Sequence, residues 1–272
     1  MDSSRPLASG EPRPLDIGVW YPARTPGPSR LTLRAYFPPP DTESSALAEF
    51  LTAHGAPDTA VAAWLDAPML ATADPDPSGG RFPLVLLAQG NGQGAPDQAP
   101  LAEYLASHGY VVATSPSPMR ISGPLVDEAS VGARAEEQAA DLAFLRAALD
   151  ARPDVAPGPV GIVAHSFGAR GALLLAMRDS SVAALVSLDG GIGTATARAS
   201  LESAPSFDAR AARAPILHVY ERLDRFMAPD LGLLRSLAAA KRWTVEAPSL
   251  HHHLFTDLGA ATIGHASLRP DR

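Results

Sequence analysis

Cysteine is absent from this chain of 272 residues, and lysine occurs only once, at Lys241. Without cysteine the chain has no disulfide, no thiolate metal ligand and no cysteine nucleophile. A single lysine also argues against Schiff-base chemistry. These absences leave hydroxyl, carboxylate and imidazole groups as the candidates for catalysis.

Basic runs and long apolar runs are missing as well. The formal net charge is −7 and the pI is about 5.6, which argues against nucleic acid or an anionic membrane as a partner. No apolar run reaches about 18 residues, and the N-terminal residues MDSSRPLASGEPRPL lack the apolar core of a signal peptide. We therefore expect a soluble protein without an integral membrane segment, either cytoplasmic or secreted after removal of a signal.

Length and apolar content predict a single domain over residues 1–272, with 46% apolar and 19% charged residues. Apolar runs alternate with segments of helical periodicity. Strands are predicted at Asp16–Tyr21, Leu31–Phe37, Pro83–Gln89, Tyr110–Thr114, Val160–Ala164, Val182–Leu188, Pro215–Tyr220 and Thr244–Val245. Helices are predicted at Pro100–His108, Glu136–Leu149, Ala169–Met177, Leu231–Ala240 and after His253. This alternation predicts an α/β fold, with a mostly parallel, doubly wound sheet and helices on both faces.

The N-terminal part departs from this alternation. The first two predicted strands are separated by a short turn, and we expect them to form an antiparallel pair. Residues 43–69 have apolar residues at helical spacing, interrupted at Gly55 and Pro57. They predict two short helices inserted near a pocket.

The segment Val160 to Ala169 (VGIVAHSFGA) is a short apolar run that leads into the Ala/Leu-rich helix ARGALLLAM. A serine between a strand and a helix, with small residues two positions before and after it, is typical of a nucleophile elbow. Here those residues are Ala164 and Gly168, so alanine replaces the usual first glycine. We predict Ser166 as the nucleophile; the alternative is an ordinary strand-to-helix turn.

A serine nucleophile needs a base and an acid that orients the base, in the chain order serine, acid, histidine for this type of elbow. His218 lies inside a predicted strand and is expected to be a core residue. His265 is a further histidine after Ser166, and the triplet at residues 251–253 is predicted to supply the base. A metal site formed by the three adjacent histidines is disfavoured, because neighbours in sequence diverge in space.

Several segments together resemble the α/β-hydrolase superfamily, and within it the branch of platelet-activating-factor acetylhydrolases and dienelactone hydrolases. They are the elbow, GVWYPA, PLVLLAQGNGQG, ASHGYVVATSPSP, VSLDGG and HHHLFTDLG. The resemblance extends from about Ile17 to Leu258. It implies an α/β-hydrolase fold, a Ser-His-Asp triad and no cofactor or metal.

The resemblance also implies individual roles. In the acetylhydrolase-like branch the catalytic histidine is followed by Phe three residues later and Asp five residues later, which Phe255 and Asp257 match for His252. Two aspartates match known positions of the acid. Asp189, before two glycines, matches the acetylhydrolase-like branch and is favoured; Asp224 matches most other α/β hydrolases and is the alternative.

An ester hydrolase also needs donors for the oxyanion. The backbone amide after the nucleophile, that of Phe167, is one candidate. By resemblance to the family's His-Gly-x segment, Gln89-Gly90-Asn91 makes the Asn91 amide the second. Gln89 replaces the family's frequent histidine. No Gly-Lys-Ser/Thr follows these glycines, which argues against a phosphate-binding loop.

We therefore predict a serine hydrolase that cleaves small or medium carboxylic esters through an acyl-enzyme. A thioesterase or serine peptidase using the same triad, and a non-catalytic binding protein, are the alternatives. Apolar candidates for the substrate pocket are Trp64, Met69, Met119 and Phe226, each of which also suits plain core or rim. Substrate identity and oligomeric state do not follow from the sequence.

Overall fold

The computed structural model describes residues 1–7, 9–24, 29–37, 44, 48–49, 51–52 and 56–257. Its strands form one sheet of seven and one of two. In chain order they are β1 (Gly18–Trp20), β2 (Arg30–Thr32), β3 (Pro68–Thr72), β4 (Leu84–Ala88), β5 (Val111–Ser115), β6 (Val160–His165), β7 (Val182–Leu188), β8 (Ile216–Tyr220) and β9 (Arg242–Glu246).

The seven-stranded sheet has the order β1-β5-β4-β6-β7-β8-β9. The edge strand β1 is antiparallel to β5, and every other neighbouring pair is parallel. The mostly parallel sheet predicted from the sequence is thereby confirmed. Since parallel strands share one carboxyl edge, the loops after β4, β6, β7, β8 and β9 gather on the same side of the molecule.

Helices lie between the strands along the chain. The α-helices of the described residues are α1 (Asp58–Leu65), α2 (Ala99–Ser107), α3 (Met119–Ser122), α4 (Glu128–Asp150), α5 (Gly168–Arg178), α6 (Ala197–Glu202) and α7 (Gly232–Ser236). Short 3-10 helices occur at Leu33–Tyr36, Ala95–Gln98, Gly191–Gly193, Arg225–Met227 and His252–Phe255. None of the helices in the described ranges is long and apolar enough to cross a membrane.

Both faces of the sheet are covered. Successive side chains of a strand point to opposite faces, and along β4 Leu86 joins a core cluster with α4 and α5, whereas Leu87 joins a second cluster with α2. Both leucines are fully buried. The apolar run of β4 on both faces is therefore explained by helices on both sides.

The two early strands do not pair with each other, and that expectation was wrong. β1 pairs with β5, whereas β2 pairs antiparallel with β3 in the two-stranded sheet. The chain leaves the extended conformation after Thr32, because Leu33 turns into a separate apolar cluster with Val61, Trp64 and Leu65.

The insertion at residues 43–69 is helical only in part. Its second helix is α1, but Pro68 and Met69 belong to β3 rather than to a helix. Proline is poorly tolerated in a helix interior but is common at the first residue of a strand. Most of the first expected helix, and the terminal helix beyond residue 257, lie outside the described residues.

Two other boundaries differ from the sequence prediction. α4 begins at Glu128, eight residues before the predicted Glu136, because the side chain of Asp127 caps it by accepting a hydrogen bond from the Ser130 N–H at 2.8 Å. α7 is shorter than the predicted Leu231–Ala240. That the whole chain forms one domain stays a prediction.

Candidate active site

Ser166 lies at the apex of a sharp turn between β6, which ends at His165, and α5, which begins at Gly168. Its φ angle is +52°, a conformation that residues with a Cβ rarely adopt and that is typical of a strained functional turn. A Cβ built on Gly168 would overlap the backbone carbonyl of Ala88 in β4. Glycine at this position therefore allows α5 to approach the sheet closely enough to form the elbow.

His252 contacts the nucleophile directly. It begins the 3-10 helix that follows β9, and its Nε2 lies 2.8 Å from Ser166 Oγ. Its Nδ1 lies 2.6 Å from Asp189 Oδ2. The three side chains thus form one continuous hydrogen-bonded chain from hydroxyl to imidazole to carboxylate.

Asp189 follows β7 and is held in place by the neighbouring strand. Its φ angle is +42° and it is 2% exposed. Its N–H donates to the carbonyl of Val219 in β8 at 2.7 Å, and its Oδ1 accepts from the Glu221 N–H at 3.2 Å. The backbone after β8 therefore orients the carboxylate toward His252.

Asp224, the alternative acid, contacts the histidine loop at other atoms. Its Oδ2 accepts a hydrogen bond from the backbone N–H of His252 at 2.7 Å, and its Oδ1 lies 3.0 Å from Nδ1 of His251. Burial alone would raise the pKa of Asp224, but these contacts with the His252 N–H and the His251 ring outweigh it and lower the pKa. Asp224 thus anchors the backbone of the loop, while Asp189 contacts the ring of His252.

The three adjacent histidines point to different partners. The ring of His252 lies between serine and aspartate, whereas the rings of His251 and His253 stack on each other with centroids 6.1 Å apart. Burial lowers the pKa of His253. The part of the chain that the structure describes contains no cluster of three metal-ligating side chains.

The two predicted oxyanion donors are backbone N–H groups, those of Phe167 and Asn91. Within the described residues, neither the N–H of Phe167 nor that of Asn91 donates a hydrogen bond. Phe167 immediately precedes α5, whose N-terminus favours negative charge. Gln89 is fully buried and its Nε2 donates to Thr114 Oγ1 at 2.8 Å. Its side chain therefore links the carboxyl ends of β4 and β5.

His165 was not predicted as a site residue, although it occupies the position before the nucleophile. Its Nδ1 lies 2.9 Å from Gln93 Oε1, and its Nε2 lies 3.2 Å from the backbone carbonyl of His252. Gln93 Oε1 also accepts from the Gly90 N–H at 2.7 Å. His165 therefore connects the loop that contains Asn91 with the histidine loop.

Burial, together with the charge of His252, lowers the pKa of His165 to about 3. The ring is consequently neutral near pH 7 and donates to only one of its two acceptors at a time. The sequence carries one signal for His165, a polar ring next to the nucleophile, but it does not indicate the partners of that ring.

Of the predicted pocket residues, only Phe226 lies against the triad. Its ring meets that of His252 edge-on with centroids 5.2 Å apart, and it is 71% exposed. Met119 is buried in the main core, and Trp64 is buried in the separate cluster of the insertion, which Met69 joins as a partly buried neighbour. Their role in substrate binding stays a prediction. A cavity of about 540 Å³ lies beside β1, β3 and α2, and no residue of the triad lines it.

Comparison with known proteins supports the fold. No protein-family model and no curated protein matches the sequence. A solved structure of a ferulic acid esterase from Streptomyces cinnamoneus is similar, with a TM-score of 0.65, 22% identity and coverage of 96% of this chain and 75% of that one. A structure of DcsB in complex with its substrate analogue aligns with a TM-score of 0.48 and 16% identity over 70% of this chain and 91% of that one. The parallel sheet, the helices on both of its faces and the esterase structure together show that this chain has the α/β-hydrolase fold.

Proposed function

We propose that this protein is a serine hydrolase that cleaves carboxylic esters through an acyl-enzyme intermediate. One observation carries the proposal: Ser166 Oγ, His252 and Asp189 form an unbroken chain with separations of 2.8 and 2.6 Å. Serine is a weak nucleophile unless an adjacent base accepts its proton, and this arrangement supplies that base. The activity named for the similar esterase structure agrees with this reaction class.

In the acylation step, Ser166 Oγ attacks the ester carbonyl carbon while its proton passes to Nε2 of His252. A C–O bond to serine forms, and the carbonyl oxygen becomes an oxyanion. When the tetrahedral intermediate collapses, the bond to the alcohol breaks and Nε2 returns the proton to the leaving alcohol. The acyl group then remains on Ser166.

Deacylation repeats these steps with water. His252 Nε2 takes a proton from the attacking water, a second oxyanion forms, and the proton passes to Ser166 Oγ as the carboxylic acid leaves. Ester and water are thereby converted into acid and alcohol with no net proton change on the protein. All these proton transfers use one ring nitrogen.

Asp189 and two amides complete the machinery in this proposal. The carboxylate of Asp189 accepts from Nδ1–H, which keeps the proton-accepting lone pair on Nε2 and stabilises the imidazolium. The N–H groups of Phe167 and Asn91 bind the oxyanion, a contribution of about 10²- to 10³-fold in kcat for one such donor. The acid position after β7 is our reason to place the chain near the acetylhydrolase-like branch.

The test is hydrolysis of p-nitrophenyl esters of increasing acyl length by the wild type and by Ser166→Ala. We expect turnover by the wild type and loss of nearly all turnover in Ser166→Ala. Ser107→Ala is the matched control, because Ser107 is an exposed serine at the end of α2. The chain-length profile measures the space available beside Phe226.

Matched thioesters and p-nitroanilides distinguish the two alternative hydrolases. The proposal expects the highest kcat/KM with the oxygen esters. Equal turnover by the wild type and Ser166→Ala, in folded protein, would refute the proposal and favour a non-catalytic binding protein.

A further inference from the structure

Arg170, in the first turn of α5, carries a guanidinium that forms no ion pair with any carboxylate of the described residues. Its Nε is fully buried and makes no hydrogen bond, and its side chain donates to no other group in the described part of the chain. The residue as a whole is half-buried, and of its three side-chain nitrogens only Nε is fully buried without a partner. A buried arginine is normally compensated by a carboxylate, because desolvation of an unpaired charge is costly.

A fully buried arginine of this protein shows the normal arrangement. Arg13 is 3% exposed and forms ion pairs with both Asp141 and Glu137. The chain has 29 acidic residues against 22 basic ones, yet none of those described pairs with Arg170. Burial lowers the pKa of Arg170 to about 10, so it keeps its positive charge at neutral pH.

The guanidinium lies beside the candidate active site. Its Cζ is 5.7 Å from the ring centroid of Phe167, whose amide is a proposed oxyanion donor. On the other side it packs on Gly191, where a Cβ would overlap the guanidinium. The N–H of Gly191 donates to the carbonyl of Ser166 at 2.8 Å. Arg170 thus contacts Phe167, which follows the nucleophile, and Gly191, whose N–H binds the carbonyl of the nucleophile.

We propose that Arg170 binds a carboxylate of the substrate, so that the preferred substrates are esters that carry a free carboxylate near the scissile bond. Paired N–H groups of arginine match the two oxygens of a carboxylate, and a half-buried site strengthens their interaction. This inference rests on the proposed ester hydrolysis and adds the substrate class. The alternative is that Arg170 only packs on Phe167 as a cation–π contact.

The experiment compares two pairs of esters that differ in one carboxylate. p-Nitrophenyl hydrogen adipate against p-nitrophenyl hexanoate places the charge on the acyl side, and 4-carboxyphenyl butyrate against phenyl butyrate places it on the alcohol side. Rates without enzyme are subtracted. The quantity measured is the ratio of kcat/KM for the charged ester to that for the neutral one.

We expect this ratio to fall about tenfold or more in Arg170→Leu for at least one pair, mainly through KM, because a charge-assisted hydrogen bond is lost. Arg170→Lys should keep an intermediate ratio. Arg178→Leu, which removes the same charge at the far end of α5, should keep the wild-type ratio. In the wild type, added salt should lower the ratio.

A ratio that is unchanged in Arg170→Leu for both pairs overturns the inference while leaving ester hydrolysis intact. Absence of turnover with all four esters refutes the proposed function instead. If Arg170→Leu does not fold, Arg170→Lys and the salt dependence decide, and a ratio that neither of them changes also overturns the inference.

Discussion

At the scale of single residues, the candidate site is built from backbone conformations that most side chains avoid. Ser166 and Asp189 are two of the three non-glycine residues with positive φ in the described ranges. Each is held by a hydrogen bond from its N–H to the next strand, Ser166 to Leu188 at 3.1 Å and Asp189 to Val219 at 2.7 Å. The sheet thus fixes two strained residues so that their side chains point toward one histidine.

Substitution of the two aspartates is expected to have effects of very different size on kcat. Asp189→Asn should lower kcat by about 10³- to 10⁴-fold with little change in the unfolding temperature, because the amide favours the wrong histidine tautomer. Asp224→Asn should lower kcat by about tenfold or less, since it keeps one acceptor oxygen for the His252 N–H. Steady-state kinetics and thermal unfolding measure both. A larger loss in Asp224→Asn than in Asp189→Asn would assign the acid to Asp224.

Gln93 offers a test of the link between the two loops. Gln93→Leu leaves the Gly90 N–H without its acceptor and removes the partner of His165 Nδ1, so we expect kcat to fall about tenfold. Gln93→Glu keeps an acceptor oxygen for both groups and should restore most of the rate. If Gln93→Leu and Gln93→Glu have the same kcat, the hydrogen bonds of Gln93 do not position the loop that contains Asn91.

At the scale of elements, the elbow depends on how closely α5 approaches β4. Gly168→Ala should lower the free energy of unfolding by about 1–3 kcal/mol or more, and also kcat, because its Cβ meets the Ala88 carbonyl. Gly161→Ala is the control, since a Cβ there has only an ordinary contact with Val85 at 3.7 Å. Urea unfolding measures both. Equal stability of the two variants would contradict this account of the elbow.

Strands and helices with a clear hydrophobic pattern of their own were predicted well from the sequence. β7 was predicted with its observed bounds, and β4 and α5 to within one residue at each end. β3 and the 3-10 helix at Leu33–Tyr36 were missed, because their conformation depends on packing with distant residues. Local periodicity carries no information about such partners.

At the scale of the whole molecule, the candidate site is an assembly of loops from one edge of the sheet. The sequence predicted the nucleophile, the base and the two possible acids, since each follows a predicted strand. It favoured Asp189 and kept Asp224 as the alternative, because both loops reach the histidine and only their three-dimensional paths decide which carboxylate meets the ring. The loop contacts of His165, and the lack of a carboxylate partner for Arg170 among the described residues, could not be predicted from the sequence for the same reason.

Two buried histidines predict how stability depends on pH. Burial lowers the pKa of His218 to about 4 and that of His165 to about 3, from 6.5. The unfolded chain therefore binds more protons below pH 6.5, and the free energy of unfolding falls as the pH drops from about 6.5 toward these values. Each group contributes up to about 1.4 kcal/mol per pH unit.

Urea unfolding at a series of pH values between these limits measures the effect. His218→Gln should reduce the slope of the free energy of unfolding against pH by the contribution of one histidine, because it removes one of the two buried imidazoles. His108→Gln, which removes an exposed histidine at the end of α2, should keep the wild-type slope. A wild-type slope in His218→Gln would show that this histidine does not remain neutral in the folded protein.

The central claim is that Ser166 carries the acyl group during turnover. The most direct measurement is rapid mixing with a p-nitrophenyl ester, followed by acid quenching and mass spectrometry of the protein and its peptides. We predict a burst of p-nitrophenol of about one equivalent and an acyl adduct on the peptide containing Ser166, absent in Ser166→Ala. Steady turnover with no adduct on Ser166, or an adduct on another residue that tracks turnover, would contradict the account.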